Sequence, residues 1–188
     1  MPFERTPEVT DPKAMRALAH PVRMALLEAL TVHRQLTATE AGEIVGESPA
    51  NTSFHLRQLA KYGYVEEAEG GTGRRRPWKR KALGMRFSEV HDDPETVAAA
   101  RELSRMWSHR YLARAEQGLE ENRSQPDEWR AVLGWNQMGL YLTPAELEQL
   151  NDRILELMFE LHGERRIRTE STPEDAKRVE ILTFAYLR

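Results

Sequence analysis

The sequence predicts a mostly helical α+β fold with two domains, residues 1–90 and 91–188. Apolar residues recur at helical spacing through much of both halves. Two short runs, residues 64–68 and 75–83, flank a glycine-rich turn and are typical of a β-hairpin. A stretch of acidic residues ending in proline, His91–Pro94, indicates the boundary between the domains.

The composition is that of a soluble protein, with 40% hydrophobic and 30% charged residues. No apolar run approaches the roughly 20 residues that cross a bilayer, and the charged start lacks the apolar core of a secretory signal. The chain has no cysteine, which excludes disulfides, thiolate metal sites and cysteine nucleophiles. We therefore expect a cytoplasmic protein that does not bind a membrane.

Charge is distributed unevenly between the two halves. The whole chain has a net charge of −3, but residues 1–90 sum to +3 and residues 91–188 to −6. The densest basic cluster lies in the first half, at Arg74–Arg76 and Lys79–Lys81. The two halves are therefore suited to different partners, and the basic half to nucleic acid.

The first half contains start and stop signals for four short helices. A periodic segment begins at Asp11, and a second helix is predicted over Pro21–Val32, with proline at its first position. Thr37 and Glu40 have the spacing of a capping box and start a third helix, which Gly46 ends. The residues of this third helix that we expect to face inward are Ala41, Ile44 and Val45.

The fourth helix is predicted to begin at Ser48-Pro49 and to stop near Tyr62 and Gly63. At 100° per residue, one face is expected to be buried, with His55 at its edge; the central residues of this face are Thr52, Leu56 and Leu59. The opposite face carries amide, hydroxyl, guanidinium and phenyl groups; it consists of Ala50, Asn51, Ser53, Phe54, Arg57 and Gln58.

Such groups can read the edges of bases in a major groove. An asparagine pairs with adenine, an arginine with guanine and a serine with either base, and an exposed phenylalanine can touch a thymine methyl group. The free N–H groups at the start of the helix can bind a phosphate. The alternative is a solvated polar face that has no partner.

A hairpin is predicted to follow, with strands at Tyr64–Ala68 and Arg75–Leu83 and a turn at Glu69–Gly73. Two short helices joined by a tight turn and followed by a hairpin have the layout of a winged helix-turn-helix. Arg74, Arg75 and Arg76 at the hairpin tip can enter a minor groove or pair with phosphates. The alternative is a solvated run of charge.

Residues 12–90 resemble the ArsR-type family of winged-helix regulators. The resemblance rests on "LAHPVRMALLEAL" and "LTATEAGEIVGESPANTSFHLRQLAKYGYVEE", which have the family's motifs in order. It implies a homodimeric bacterial regulator, usually a repressor that an effector releases from its operator. By the same resemblance, the recognition helix contributes Asn51, Thr52, Ser53, His55 and Arg57, and the wing contributes Arg74–Arg76. The helical wheel differs from the family in placing Thr52 inward.

No metal site or other cofactor is expected. Metal-sensing members of the family carry a cysteine pair that this chain lacks, and residues 95–121 offer only His109 in place of the Asp and His ligands of other members. A metal site needs three or four converging ligands. We expect His20 to support the junction before the second helix.

The second half is predicted to contain a long helix, Glu95–Glu121, a capped helix starting at Thr143 and ended by Gly163, and strands at Asn136–Leu142 and Arg178–Leu187. Apolar residues of the two helices are candidates for dimerisation: Leu103, Trp107, Tyr111, Leu147, Leu150, Ile154, Leu157 and Leu161. The alternative is that these residues pack within their own domain. The aromatic residues of this half are suited either to a small organic effector or to an ordinary core.

The resulting hypothesis is a sequence-specific regulator that binds double-stranded DNA as a homodimer at an inverted repeat. A winged-helix module that binds proteins is the alternative, although such a module has no need of three adjacent arginines. Enzyme motifs such as G-x-S-x-G, H-E-x-x-H and a phosphate-binding glycine loop are absent, so we expect no catalytic residues.

Overall fold

The structure is a computed structural model that describes residues 8–71, 76–82, 85–162 and 172–187. Contacts divide the chain into two units, Pro2–Trp107 and Ser108–Arg188. The elements in chain order are α1 (Pro12–Leu18), α2 (Pro21–His33), β1 (Gln35–Leu36), α3 (Ala38–Val45), α4 (Pro49–Lys61), β2 (Val65–Glu67), β3 (Trp78–Arg80), α5 (Pro94–Asn122), α6 (Asp127–Arg130) and α7 (Pro144–His162). None of the helices in these described ranges is both long and apolar enough to span a bilayer.

The starts of α2, α3 and α4 confirm the predicted caps. His20 Nδ1 accepts a hydrogen bond from the Val22 amide at 3.2 Å, so His20 supports the junction before α2. Thr37 and Glu40 form the complete capping box of α3. Ser48 Oγ accepts from the amide of Asn51 at 3.3 Å, at the start of α4. These side chains satisfy amides that a helix start leaves without an intrahelical partner.

The core of the first unit lies between α1, α2, α4 and the first turns of α5. Its largest fully buried side chains come from all four helices and from β2: Met15, Leu18, Leu26, Leu30, Leu56, Leu59, Val65 and Leu103. The prediction for α3 is wrong at Ile44, which is exposed because only one face of this short helix meets the core. Val45 is partly buried and Ala41 fully buried, as expected.

The three strands form one antiparallel sheet in the order β1-β3-β2, with Val65 opposite Arg80 and Leu36 opposite Trp78. The hairpin is therefore present, but its second strand is shorter than the predicted Arg75–Leu83. Pro77, just before β3, has no amide hydrogen to donate to a ladder. The ends of the prediction, Arg75 and Leu83, lie outside the described residues.

In the second unit, the capping box of α7 is confirmed: Thr143 N and Oγ1 both donate to Glu146 Oε2 at 2.7 Å. The strand predictions for Asn136–Leu142 and Arg178–Leu187 are wrong for the described chain, where both segments are irregular and have no strand pairing. A strand needs a neighbour to complete its hydrogen bonds, and no described segment of this unit supplies one. None of the described side chains in this unit is buried. Gly163 lies outside the described residues.

Candidate nucleic-acid interface

The turn between α3 and α4 depends on two glycines. Gly46 ends α3 in the left-handed region, at φ 75°, which glycine adopts without strain. Gly42 lies where the two helices meet: a Cβ atom at this position would be 2.7 Å from the Glu47 carbonyl oxygen and 2.9 Å from Thr52 Oγ1. The absence of a side chain at Gly42 therefore lets the start of α4 pack closely against α3.

The buried and exposed faces of α4 follow the predicted helical wheel. Thr52, Leu56 and Leu59 are fully buried, and His55 is also buried rather than at the edge. Because Thr52 and His55 are covered by the protein, the two residues named only by the family resemblance do not lie on the exposed face. Phe54 is 48% exposed. The remaining residues of the outer face are exposed or half-buried: Ala50, Asn51, Ser53, Arg57 and Gln58, with Ser48 exposed at the N-cap.

Two hydrogen bonds hold polar groups on this outer face. Asn51 Nδ2 donates to Glu47 Oε2 at 2.6 Å, and Arg57 Nη1 donates to Ser53 Oγ at 2.7 Å. Ser53 and Arg57 lie one turn apart on α4, and the Asn51–Glu47 bond joins the first turn of α4 to the residue before its N-cap. Both bonds hold their side chains in place before any ligand arrives. The role of Glu47 was not predicted from the sequence.

A histidine pair lies on the inner side of α4. The rings of His20 and His55 are 4.6 Å apart between centroids and tilted by 44°. Burial and then the charge of Arg23 lower the pKa of both imidazoles, and Glu47 acts weakly in the opposite direction. Arg23 donates hydrogen bonds to the carbonyl oxygens of Ala17 and Arg16, at the end of α1. No pattern in the sequence predicts that Arg23 and His55 meet His20.

Part of the basic charge on the hairpin is paired within the hairpin. Arg76 Nη1 lies 3.0 Å from Glu67 Oε2, and Lys79 Nζ lies 3.3 Å from Glu66 Oε1. All four side chains are about half exposed, so these pairs are screened by solvent and are easily exchanged for other partners. Arg74 and Arg75 lie outside the described residues.

The residues predicted for dimerisation occupy different environments. Leu103 is fully buried in the core of the first unit, which leaves it no surface to offer a second chain. Trp107 is half-buried and packs edge-to-face on Phe87, with centroids 5.3 Å apart. The other members are half-buried or exposed: Tyr111, Leu147 and Ile154 are half-buried, Leu150 and Leu157 are exposed, and the side chain of Leu161 lies outside the described part. No group of three metal-ligating side chains occurs among the described residues.

A family model described as a helix-turn-helix domain matches residues 18–67, which run from the end of α1 to the end of β2. The matched region includes α3, α4 and the turn between them. The first unit therefore contains a helix-turn-helix domain, a class in which the second helix of the pair is the one that enters DNA. No curated protein matches the chain.

Proposed function

We propose that the protein is a sequence-specific transcription regulator that inserts α4 into the major groove of DNA. The observation that supports this most strongly is the exposed polar face of α4, which starts directly at the helix-turn-helix turn. This face offers an amide, a guanidinium and a phenyl group within two turns of helix: Asn51, Arg57 and Phe54. These are groups suited to adenine, guanine and the thymine methyl group, respectively.

Binding would exchange internal partners for bases. Asn51 leaves Glu47 for a base edge, and Arg57 leaves Ser53, whose hydroxyl is then free to bind a base or a phosphate. Since both pairs are already on the outer face, the exchange needs rotation of side chains and no movement of the backbone. The free amides at the start of α4 contribute a contact to phosphate.

The hairpin would supply affinity that does not depend on sequence. Arg76 and Lys79, together with Arg74 and Arg75, can bind phosphates on either side of the groove that α4 enters. The carboxylates of Glu66 and Glu67 compete for Arg76 and Lys79, so the hairpin attracts DNA less strongly than its count of cations suggests.

The proposal extends to a cytoplasmic homodimer of the ArsR type that represses transcription without catalysing a reaction. Two copies of α4 about 34 Å apart would read successive turns of an inverted repeat. A small organic effector is the proposed means of release, because aromatic residues are concentrated in the second half: Trp107, Tyr111, Trp129, Trp135 and Tyr141.

The experiment measures binding of the full chain to duplexes selected from a random pool, at several salt concentrations. We expect Asn51→Ala and Arg57→Ala to lose about 1–3 kcal/mol on the selected duplex and to relax the preference at single base pairs. Replacing Arg74–Arg76 with alanine should weaken binding to all duplexes. It should also flatten the salt slope, which is the slope of the logarithm of the binding constant against the logarithm of the salt concentration, by up to about 0.9 per lost phosphate contact.

Arg101→Ala is the control, since Arg101 is an exposed arginine on α5 and is not part of the hairpin. It should change neither the preference nor the salt slope. If no duplex is enriched and the wild-type chain binds DNA no better than the arginine-depleted variant, the DNA-binding proposal is wrong. A protein-binding module would give this result.

A further inference from the structure

Two segments of the second unit that have no regular secondary structure expose large apolar side chains to solvent. The first, the 135–142 segment, includes Trp135 and Tyr141; the second, the 179–187 segment, includes Phe184 and Tyr186. Three of these four aromatic side chains are between 64 and 74% exposed, and Tyr141 is fully exposed. Further exposed apolar side chains of the two segments are Met138, Leu140, Leu142, Val179, Ile181, Leu182 and Leu187.

The backbone of both segments is also unpaired. No strand ladder and no backbone hydrogen bond involves residues 135–142 or 179–187 within the part of the chain that the structure describes. Both sequences are nevertheless those of strands. Met138, Leu140 and Leu142 alternate along one face of the first, and the second is rich in β-branched and aromatic residues on both faces. A strand that is apolar on both faces is typical of one covered on both sides.

The apolar area that the two segments expose between them is large enough for one side of a protein–protein interface. The four aromatic side chains alone, at roughly 150–250 Å² each when fully exposed, leave on the order of 500–800 Å² in water. A standard interface takes about 800 Å² from each partner. The aliphatic side chains of the two segments add to this area.

The charge of the segments points to a second copy of this chain as the partner. In a two-fold symmetric interface a patch meets itself, so a charged residue near the axis meets a like charge. The 135–142 segment has no charged residue, and the 179–187 segment has only Glu180. Glu180 is already paired with Arg114, at 2.9 Å. The two segments can therefore meet their copies across a two-fold axis without bringing unpaired like charges together.

We propose that the 135–142 and 179–187 segments are the surface through which two copies of the chain associate, and that they become paired strands when they do. This inference rests on the homodimer of the proposed function and assigns its interface. The interface then consists of these two segments. It does not consist of the residues of α5 and α7 that the sequence predicted for dimerisation: Leu103, Trp107, Tyr111, Leu147, Leu150, Ile154, Leu157 and Leu161.

The experiment measures the mass of the full chain by light scattering and sedimentation across protein concentrations. The variants are Phe184→Asp and Ile181→Asp, one on each face of the 179–187 segment, and the matched control is Val90→Asp, at an exposed valine outside both segments. We expect the wild-type chain and the control to be dimers at micromolar concentration. We expect each of the two segment variants to raise the dimer dissociation constant at least about 100-fold, because association would bury an unpaired carboxylate from each copy.

Hydrogen exchange measured on the same samples tests the strands. Amides of residues 135–142 and 179–187 should be protected in the wild-type dimer and exposed in the variants, while amides of α2 and α4 stay protected in all samples. A wild-type chain that remains monomeric overturns the inference, as do segment variants that keep the dimer mass. Retained dimer mass with unprotected segments overturns the strand pairing.

DNA binding separates this inference from the proposed function. A monomeric segment variant that still binds a half-site duplex, with the salt slope of one hairpin, supports both proposals. A wild-type dimer that binds no DNA leaves the interface standing and removes the regulator. A wild-type monomer that binds DNA overturns the proposed interface and leaves the DNA-binding proposal standing.

Discussion

Gly42 sets the distance between α3 and α4, the two helices of the helix-turn-helix. A methyl group at this position would lie 2.7 Å from the carbonyl oxygen of Glu47, an atom of the backbone that cannot rotate away. We expect Gly42→Ala to destabilise the first unit by about 1–3 kcal/mol, the usual cost of overpacking. Thermal unfolding followed by circular dichroism measures the change.

The same substitution at Gly118 is the control, because no atom lies within 4 Å of a Cβ there. Gly118 lies within α5, about one turn before the helix ends at Asn122, so alanine should stabilise that helix by up to about 1 kcal/mol. If the two substitutions changed the stability equally, the close contact between Gly42 and the Glu47 carbonyl oxygen would not limit the size of the side chain at residue 42.

The histidine pair predicts that the first unit loses stability in acid. Burial and Arg23 hold the pKa of both His20 and His55 below the ordinary value, so the unfolded chain binds protons more readily than the folded one. Stability is therefore complete above about pH 6.5, the pKa of an unfolded histidine, and falls as the pH drops through the lower folded values. Protonation of His20 Nδ1 also removes the cap that it gives to Val22.

His20→Asn tests this, because asparagine is a good N-cap and does not titrate. Its midpoint of thermal unfolding should match that of the wild-type chain at pH 8 and should fall less between pH 7 and pH 5. Parallel curves for the two proteins would show that His20 does not contribute to the acid sensitivity.

At this scale the sequence predicts positions on a helix better than it predicts partners. The 3.6-residue period was enough to place Thr52, Leu56 and Leu59 inward, and start signals were enough to assign the caps at Thr37 and Ser48. The meeting of His20, His55 and Arg23 depends instead on how α1, α2 and α4 pack. That packing brings together residues far apart in the chain, and no local pattern encodes it.

Within the hairpin, acidic side chains limit the charge that can reach DNA. Glu67→Gln should release Arg76, strengthen binding to all duplexes a few-fold and steepen the salt slope by about one phosphate contact. The control is Glu89→Gln, which makes the same change of charge at an exposed residue outside the hairpin. If both variants strengthen binding equally, net charge rather than the Glu67–Arg76 pair is responsible.

Among the elements, capped helices and the first hairpin strand were predicted to within a few residues, whereas the two strands predicted in the second unit were not found in the described chain. A capped helix satisfies its hydrogen bonds within its own chain segment, so the sequence of α2, α4 or α7 is enough to define it. A strand depends on its neighbour. The segments 136–142 and 178–187 have the composition of strands but no pairing neighbour among the described residues, and they have no regular secondary structure.

The two units of the molecule differ in how they are stabilised. The first has a core of fully buried leucines, whereas none of the described side chains of the second is buried. We expect thermal unfolding of the second unit to depend on protein concentration, because association stabilises a folded state by mass action. That of the first should not.

Fluorescence can separate the two units, since Trp129 and Trp135 lie in the second and Trp78 and Trp107 in the first. Replacing either pair with phenylalanine isolates the other. The expectation would be contradicted if the midpoint temperature of the second unit did not change when the protein concentration was raised about 100-fold from the low micromolar range.

The hydrogen bond between Asn51 and Glu47 has a consequence for how a regulator of this kind would search a genome. At a mismatched base the Asn51 amide stays hydrogen-bonded to the Glu47 carboxylate, so no buried donor is left without an acceptor. The protein can then dissociate from that site without breaking an additional contact to the base. Only a base that offers Asn51 a better partner than a carboxylate stops it. Discrimination would then come from a competition inside the protein, which lets the search stay fast while the final choice stays strict.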